Sequence, residues 1–211
     1  MSCAFRERVL PRHFSRIGRA RAIITAYDPP LMTHTRPTRD AVPPEEPTQR
    51  TKRDYTRALA RLASSPRLKD APRADRMTAV ADAIWDACHH QGVSWVGFYI
   101  ADESQPDDQR LVLGPRRDAP ACSPIGVHGV CGAAYRTGEV QIVRDVAELG
   151  DRYVACDPRD RAEIVLPLFE DRAGARACWG VLDLDSRDVG AFEEYDATAL
   201  AYVLSAADFG Y

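Results

Sequence analysis

Three thiols stand in loop-like sequence: Cys122 in Ala-Cys-Ser-Pro-Ile, Cys131 in Gly-Val-Cys-Gly and Cys156 in Ala-Cys-Asp. Such settings suit a thiol that acts as a nucleophile or redox partner, because reactivity needs access and a tuned pKa. The chain's other three cysteines read differently. Cys88 and Cys178 fall on apolar faces of regular elements and behave as small hydrophobes. Cys3 lies in an N-terminal tail and is expected to be inert. There is no C-x-x-C pair, so the spacing of a zinc ribbon or a thioredoxin-like motif is missing. No secretory signal is visible, which predicts a reducing compartment and no structural disulfides. His89-His90 beside Cys88 would point in different directions on a helix and serve one ion poorly, so no metal is expected. His128, three residues before Cys131, reads as a solvated loop side chain, with tuning of that thiol as the alternative.

The second group with chemical potential is a set of carboxylates. Glu163 opens an otherwise apolar strand, and Asp183 and Asp185 interrupt Val181-Leu182-x-Leu184. Period 2 puts both aspartates on one face and both leucines on the other. Two like charges on an apolar strand are costly unless they bind a cation or share a proton. A solvent-facing strand is the plain alternative, but a face that takes the ammonium of a small molecule accounts for them better. Trp95 and Tyr99, four apart in a strand, share a face and offer apolar area with a polar tip; plain core packing is the competing reading.

These side chains need a frame. Tyr55, Leu59 and Leu62 recur at helical spacing over 51–63, and Met77, Val80, Ala81, Ile84, Trp85 and Cys88 form an i, i+3, i+4 stripe over 74–91. Gly92 is placed to end the second helix. Strand formers then dominate 94–100, and 110–113 completes a hairpin that Gly114-Pro115 should end. A short helix over 129–137 holds Cys131. Strands follow at 140–143, 163–169 and 178–186, the last two joined by a turn at Asp171 to Gly174, and a closing helix spans 193–207. The pattern is α+β with a mostly antiparallel sheet.

Composition narrows the function further. The 211 residues carry 28 basic and 31 acidic side chains, a net charge of −3, which argues against a dedicated nucleic-acid binder. No apolar run approaches the ~18 residues of a membrane span. Charge is uneven: residues 1–50 hold nine Arg against five acids. That Arg- and Pro-rich stretch is expected to be a disordered extension, and 51–211 the folded domain. Residues 1–26 leave three readings open: an organellar presequence, a native tail, or sequence upstream of a true start at Met32.

The segments W-V-G-F-Y-I (95–100), L-V-L-G-P (111–115), G-V-C-G (129–132), A-C-D (155–157), E-I-V-L-P-L (163–168) and G-V-L-D-L-D-S (180–186), in this order, resemble the free methionine-(R)-sulfoxide reductases. These are enzymes built on a single GAF domain, and the resemblance covers about 55–207. It implies a central, mostly antiparallel sheet of about six strands flanked by helices. It further implies that Cys156 is the catalytic thiol, Cys122 the resolving one and Cys131 an auxiliary. Trp95 and Tyr99 would wall the methyl sulfoxide end of the substrate. Glu163, Asp183 and Asp185 would hold its amino group and assist the oxygen. The implied reductant is thioredoxin, and no cofactor is required. A cytoplasmic enzyme is expected, and a homodimer is compatible with the fold. A non-catalytic GAF sensor of a small molecule is the alternative. The stretch 122–131 is one residue shorter than the family pattern, which makes the reach of Cys122 to Cys156 the assignment most exposed to correction.

Overall fold

The computed structural model describes residues 52–118, 121–152 and 156–211. The expected extension 1–50, with Cys3 and the 1–26 segment, lies outside the described residues. Four α-helices and five strands follow in the order α1 (Thr56–Ala63), α2 (Arg73–Cys88), β1 (Trp95–Ala101), β2 (Leu111–Arg117), α3 (Val130–Thr137), β3 (Gln141–Val143), β4 (Ala162–Arg172), β5 (Ala175–Ser186) and α4 (Glu194–Ala206). All pairings are antiparallel, in the order β2-β1-β5-β4-β3. The described residues thus give one α+β sheet of five strands, against the expectation of about six.

The period-2 patterns sort the sheet into two unlike faces. Val96, Phe98, Ile164, Leu166, Leu182 and Leu184 point to one side and are fully buried. There they meet Val80 and Ile84 of α2, Leu200 and Leu204 of α4, and Leu62 of α1 in a single apolar cluster. Each such large side chain contributes about 1.5–3 kcal/mol on burial. The odd-numbered partners, Trp95, Tyr99, Val165 and Val181, turn to the other side and pack with Cys131 and Ala134 of α3. One layer holds the fold together, and the opposite layer holds the candidate functional groups.

The helix that carries Met77 to Cys88 ends in a short 3₁₀ turn, His89–Gln91, closed by Gly92 in the left-handed conformation (φ 92°). Two expectations need correction. Gly114-Pro115 does not end β2, which continues to Arg117. The strand lies at the sheet edge, where a proline that lacks an N–H leaves no ladder donor missing. The Asp171–Gly174 turn is also tighter than expected: β4 and β5 extend to Arg172 and Ala175 and are joined by Ala173 and Gly174, both at positive φ.

The chain entering α1 is anchored to α4. Arg53, 5% exposed, donates to the Ala191 carbonyl at 2.5 Å and to Asp196 Oδ1 at 3.2 Å. Asp196 also accepts from Tyr55 Oη at 2.7 Å, while its other oxygen accepts the Glu193 N–H in a capping box.

Candidate active site

The sheet brings the carboxylates into line. Trp95 pairs with Asp185 and Asp185 with Glu163, so these three form one cross-strand row. Gly97, Asp183 and Val165 form the next row, and Tyr99, Val181 and Pro167 the third. All the odd-numbered positions named at the sequence level therefore face one cavity. Its lining includes Trp95, Tyr99, Cys131, Cys156, Glu163, Asp183 and Asp185.

Local backbone requirements explain the shape. A Cβ on Gly97 would lie 2.4 Å from Trp95 Cη2, so the absent side chain is the space the indole occupies. The ring lies along the sheet, tilted toward Tyr99 with centroids 6.0 Å apart. A Cβ on Gly132 would come within 2.2 Å of the Val127 backbone, so the loop crosses close over the start of α3. That approach presses Cys131 onto the sheet. Its Sγ lies 3.3 Å from Asp183 Oδ2 and 3.9 Å from Glu163 Oε1.

The loop bearing Cys122 is stapled to β2. Leu111 and Ile125 exchange backbone hydrogen bonds of 3.0 and 2.8 Å, and Leu113 N–H donates to Ser123 Oγ at 3.1 Å. The Ser123–Pro124 peptide is cis. Tyr99 Oη donates to the Cys122 carbonyl at 3.0 Å. The Cys156 thiol lies close enough to Cys122 and to the Tyr99 hydroxyl for both to act on its ionisation. Behind Cys156, Asp157 forms a close turn: it accepts from Arg159 N–H at 3.0 Å and holds its guanidinium at 2.6 to 3.1 Å.

The electrostatics follow from burial. Glu163 and Asp183, 6% and 5% exposed, are held well above the ordinary carboxylate range by desolvation and then by neighbouring carboxylates. Asp185 rises for the same reasons, with Asp183 its nearest opponent. A raised pKa favours the protonated carboxyl, which can donate a proton. Desolvation likewise pushes the Cys156 thiol up to about 12, and the nearby Cys122 side chain adds to the rise. Cys131 is raised well above an ordinary thiol by burial, and then by Asp183 and Glu163. Two buried polar atoms in this cavity, Trp95 Nε1 and Asp183 Oδ1, have no hydrogen-bond partner among the described residues.

The remaining candidates lie elsewhere. Cys88 is fully buried in the helix-side core. Cys178 is half-buried beside Tyr135 and Phe169, away from the cavity, and donates to the Gly180 carbonyl at 3.3 Å. His128 is exposed, whereas Cys131 is buried. His89 stacks on Trp85 and its Nδ1 sits 2.7 Å from the Trp85 carbonyl, so the His pair gathers no ligand set with Cys88. The sequence reading missed Asp160, which lines the cavity and accepts from Ser94 Oγ at 2.9 Å. Burial raises its pKa and the Ser94 hydrogen bond opposes that rise. Its only sequence signal is its place between Cys156 and Glu163. Among the described residues, no helix is long and apolar enough to cross a membrane.

Comparison with known proteins agrees with this architecture. The GAF domain model matches residues 75–207. The Bacillus subtilis protein YtsP is 43% identical over 106 residues, 49% of this chain and 60% of that protein. The Escherichia coli free methionine-R-sulfoxide reductase is 38% identical over 114 residues, 54% of this chain and 63% of that enzyme. The chain thus spans somewhat under two thirds of the length of these two relatives. Among solved structures, the Neisseria meningitidis free methionine-R-sulfoxide reductase, determined in complex with its substrate, superposes with a TM-score of 0.62. It is 33% identical, with 73% of this chain and 86% of that one covered.

Proposed function

The chain belongs to the GAF-domain family, and from that premise we propose that it is an oxidoreductase that reduces free L-methionine-(R)-sulfoxide to methionine. The observation that supports this best is that Cys156, with Cys122 near enough to raise its thiol, lines a cavity walled by aromatics and buried carboxyls. A sensor pocket has no need of a paired thiol; a two-electron reductant does.

In this reading the substrate's ammonium replaces a proton among Glu163, Asp183 and Asp185. This relieves the repulsion that raises their pKa values. The methyl–sulfur end lies against Trp95 and Tyr99. Cys156 sulfur attacks the sulfoxide sulfur while an acidic carboxyl protonates the oxygen. The oxygen passes to Cys156, the S–O bond of the substrate breaks, and methionine leaves with its sulfur reduced by two electrons. Cys156 becomes a sulfenic acid, and its lost thiol proton is balanced by the proton on the transferred oxygen. The Cys122 thiol then attacks that sulfur, water leaves, and a Cys122–Cys156 disulfide forms. An external dithiol of the thioredoxin type exchanges the disulfide away. Cys131 serves as an auxiliary thiol that orients Asp183 and Glu163.

The test is turnover of free L-methionine-(R)-sulfoxide with thioredoxin recycling in wild type, Cys156→Ser and Cys122→Ser. The expected results are turnover in wild type, none in Cys156→Ser, and a single methionine per chain without recycling in Cys122→Ser. A folded, reduced wild type with no turnover would return the protein to the small-molecule sensor reading.

A further inference from the structure

The Cys131 Sγ, Glu163 Oε1 and Asp183 Oδ2 cluster has a geometry that its hydrogen bonds alone do not require. One ligand atom from each of Cys131, Glu163 and Asp183 lies within 4.8 Å of the others, and all three residues are buried. The sulfur-to-oxygen separations are 3.3 and 3.9 Å. In a tetrahedral zinc site, bonds of ~2.3 Å to sulfur and ~2.0 Å to oxygen put a sulfur–oxygen edge at about 3.5 Å. The observed pair brackets that edge. A second observation points the same way. Asp183 lines the cavity, is 5% exposed, and keeps Oδ1 without a hydrogen-bond partner among the described residues. All three residues line the cavity, so water or a small ligand there could complete the shell.

We propose that Cys131, Glu163 and Asp183 form a binding site for a thiophilic divalent cation, Zn²⁺ in chemistry, with one coordination position open to the cavity. A thiolate beside two carboxylates selects zinc or cobalt over magnesium and calcium, which want oxygen alone. The Cys131 proton leaves to solvent on binding, and no redox change occurs. The ion neutralises the same carboxylates that the proposed substrate would use. The reduced protein therefore has a reversible off state in which zinc and the substrate's ammonium compete; this competitive part rests on the reading above.

Cobalt reads the site directly. Reduced wild type titrated with Co²⁺ is expected to bind one ion per chain and show a thiolate-to-cobalt charge-transfer band in the near ultraviolet. Cys131→Ser should abolish the band, and Glu163→Gln and Asp183→Asn should each weaken binding about tenfold or more. Cys156→Ser and Cys122→Ser should keep it. Absence of the band in reduced wild type would overturn the proposal. So would a band that survives in Cys131→Ser but is lost in Cys156→Ser or Cys122→Ser, or one that neither carboxyl variant weakens. Free methionine should displace the cobalt. A band that methionine leaves unchanged overturns the competition but not the site. Since the band does not depend on turnover, an inactive protein that still shows it would sink the reductase reading alone.

Discussion

Replacing Gly97 with alanine tests whether the indole of Trp95 shapes the cavity. The added Cβ would lie 2.4 Å from Trp95 Cη2, 2.7 Å from Cζ2 and 2.8 Å from Arg116 Cβ. Carbon atoms pack at about 3.5–4.0 Å, so the far end of the ring must withdraw by about 1 Å. Overpacking of this kind costs about 1–3 kcal/mol. At about 2–4 °C per kcal/mol for a domain of this size, Tm should fall by about 2–12 °C. If Trp95 positions substrate as proposed, a displacement of about 1 Å should also lower kcat/KM by up to ~100-fold. Thermal melts, indole emission and steady-state kinetics on free methionine-(R)-sulfoxide measure all three. Trp95→Phe removes the two clashing ring atoms. In the double variant Gly97→Ala with Trp95→Phe, Tm should therefore exceed the additive expectation, with a coupling of about 0.5–3 kcal/mol. Wild-type Tm and KM in Gly97→Ala, or strict additivity in the double variant, would refute the argument.

Two further outcomes follow from the buried titratable groups. Glu163, Asp183 and Asp185 have folded pKa values raised above their unfolded ones, about 4.3 and 3.9, so the folded state binds more protons. Their contribution is fully present below those unfolded values. It is lost as pH rises toward the folded ones, at up to ~1.4 kcal/mol per pH unit per group. Asp183→Asn should flatten that slope as pH rises above about 4 in urea titrations, and an unchanged slope would count against it. Alkylation of reduced Cys156, whose thiol is pushed up to about 12, should climb about tenfold per pH unit from pH 7 to 10. Peptide mass spectrometry reads the rate, and a plateau near pH 9 would contradict the burial effect.

The sequence made visible whatever is periodic. Asp183 and Asp185 flanking Leu184, and Trp95 four residues before Tyr99, state their faces through the pleat alone, and the fold has them on the expected side. The α2 stripe was readable for the same reason, with Met77, Val80, Ile84 and Cys88 all buried. What escaped was set by tertiary approach. Asp160 lies in an aperiodic turn, and only the fold carries it to Ser94. The pairing of Cys122 with Cys156 came only through the family resemblance, since the two lie in separate loops and local pattern holds no record of it. The extent of β2 depended on its being an edge strand, which a Gly-Pro pair does not announce. Gly97 looks like a weak point in a strand until the indole above it is seen.

The alternation along β5 has a consequence for how the chain assembles. Shifted by one residue against β1 or β4, β5 would drive Asp183 and Asp185 into the hydrocarbon beneath α2 and α4. Leu182 and Leu184 would then be stranded over the cavity. The carboxyls that burden the correct fold would burden the slipped one far more, since there they would meet neither one another's protons nor a ligand. The carboxyl-bearing face thus proofreads the pairing of its own central strand, and a variant with both aspartates made leucine should lose fidelity of assembly before it loses compactness.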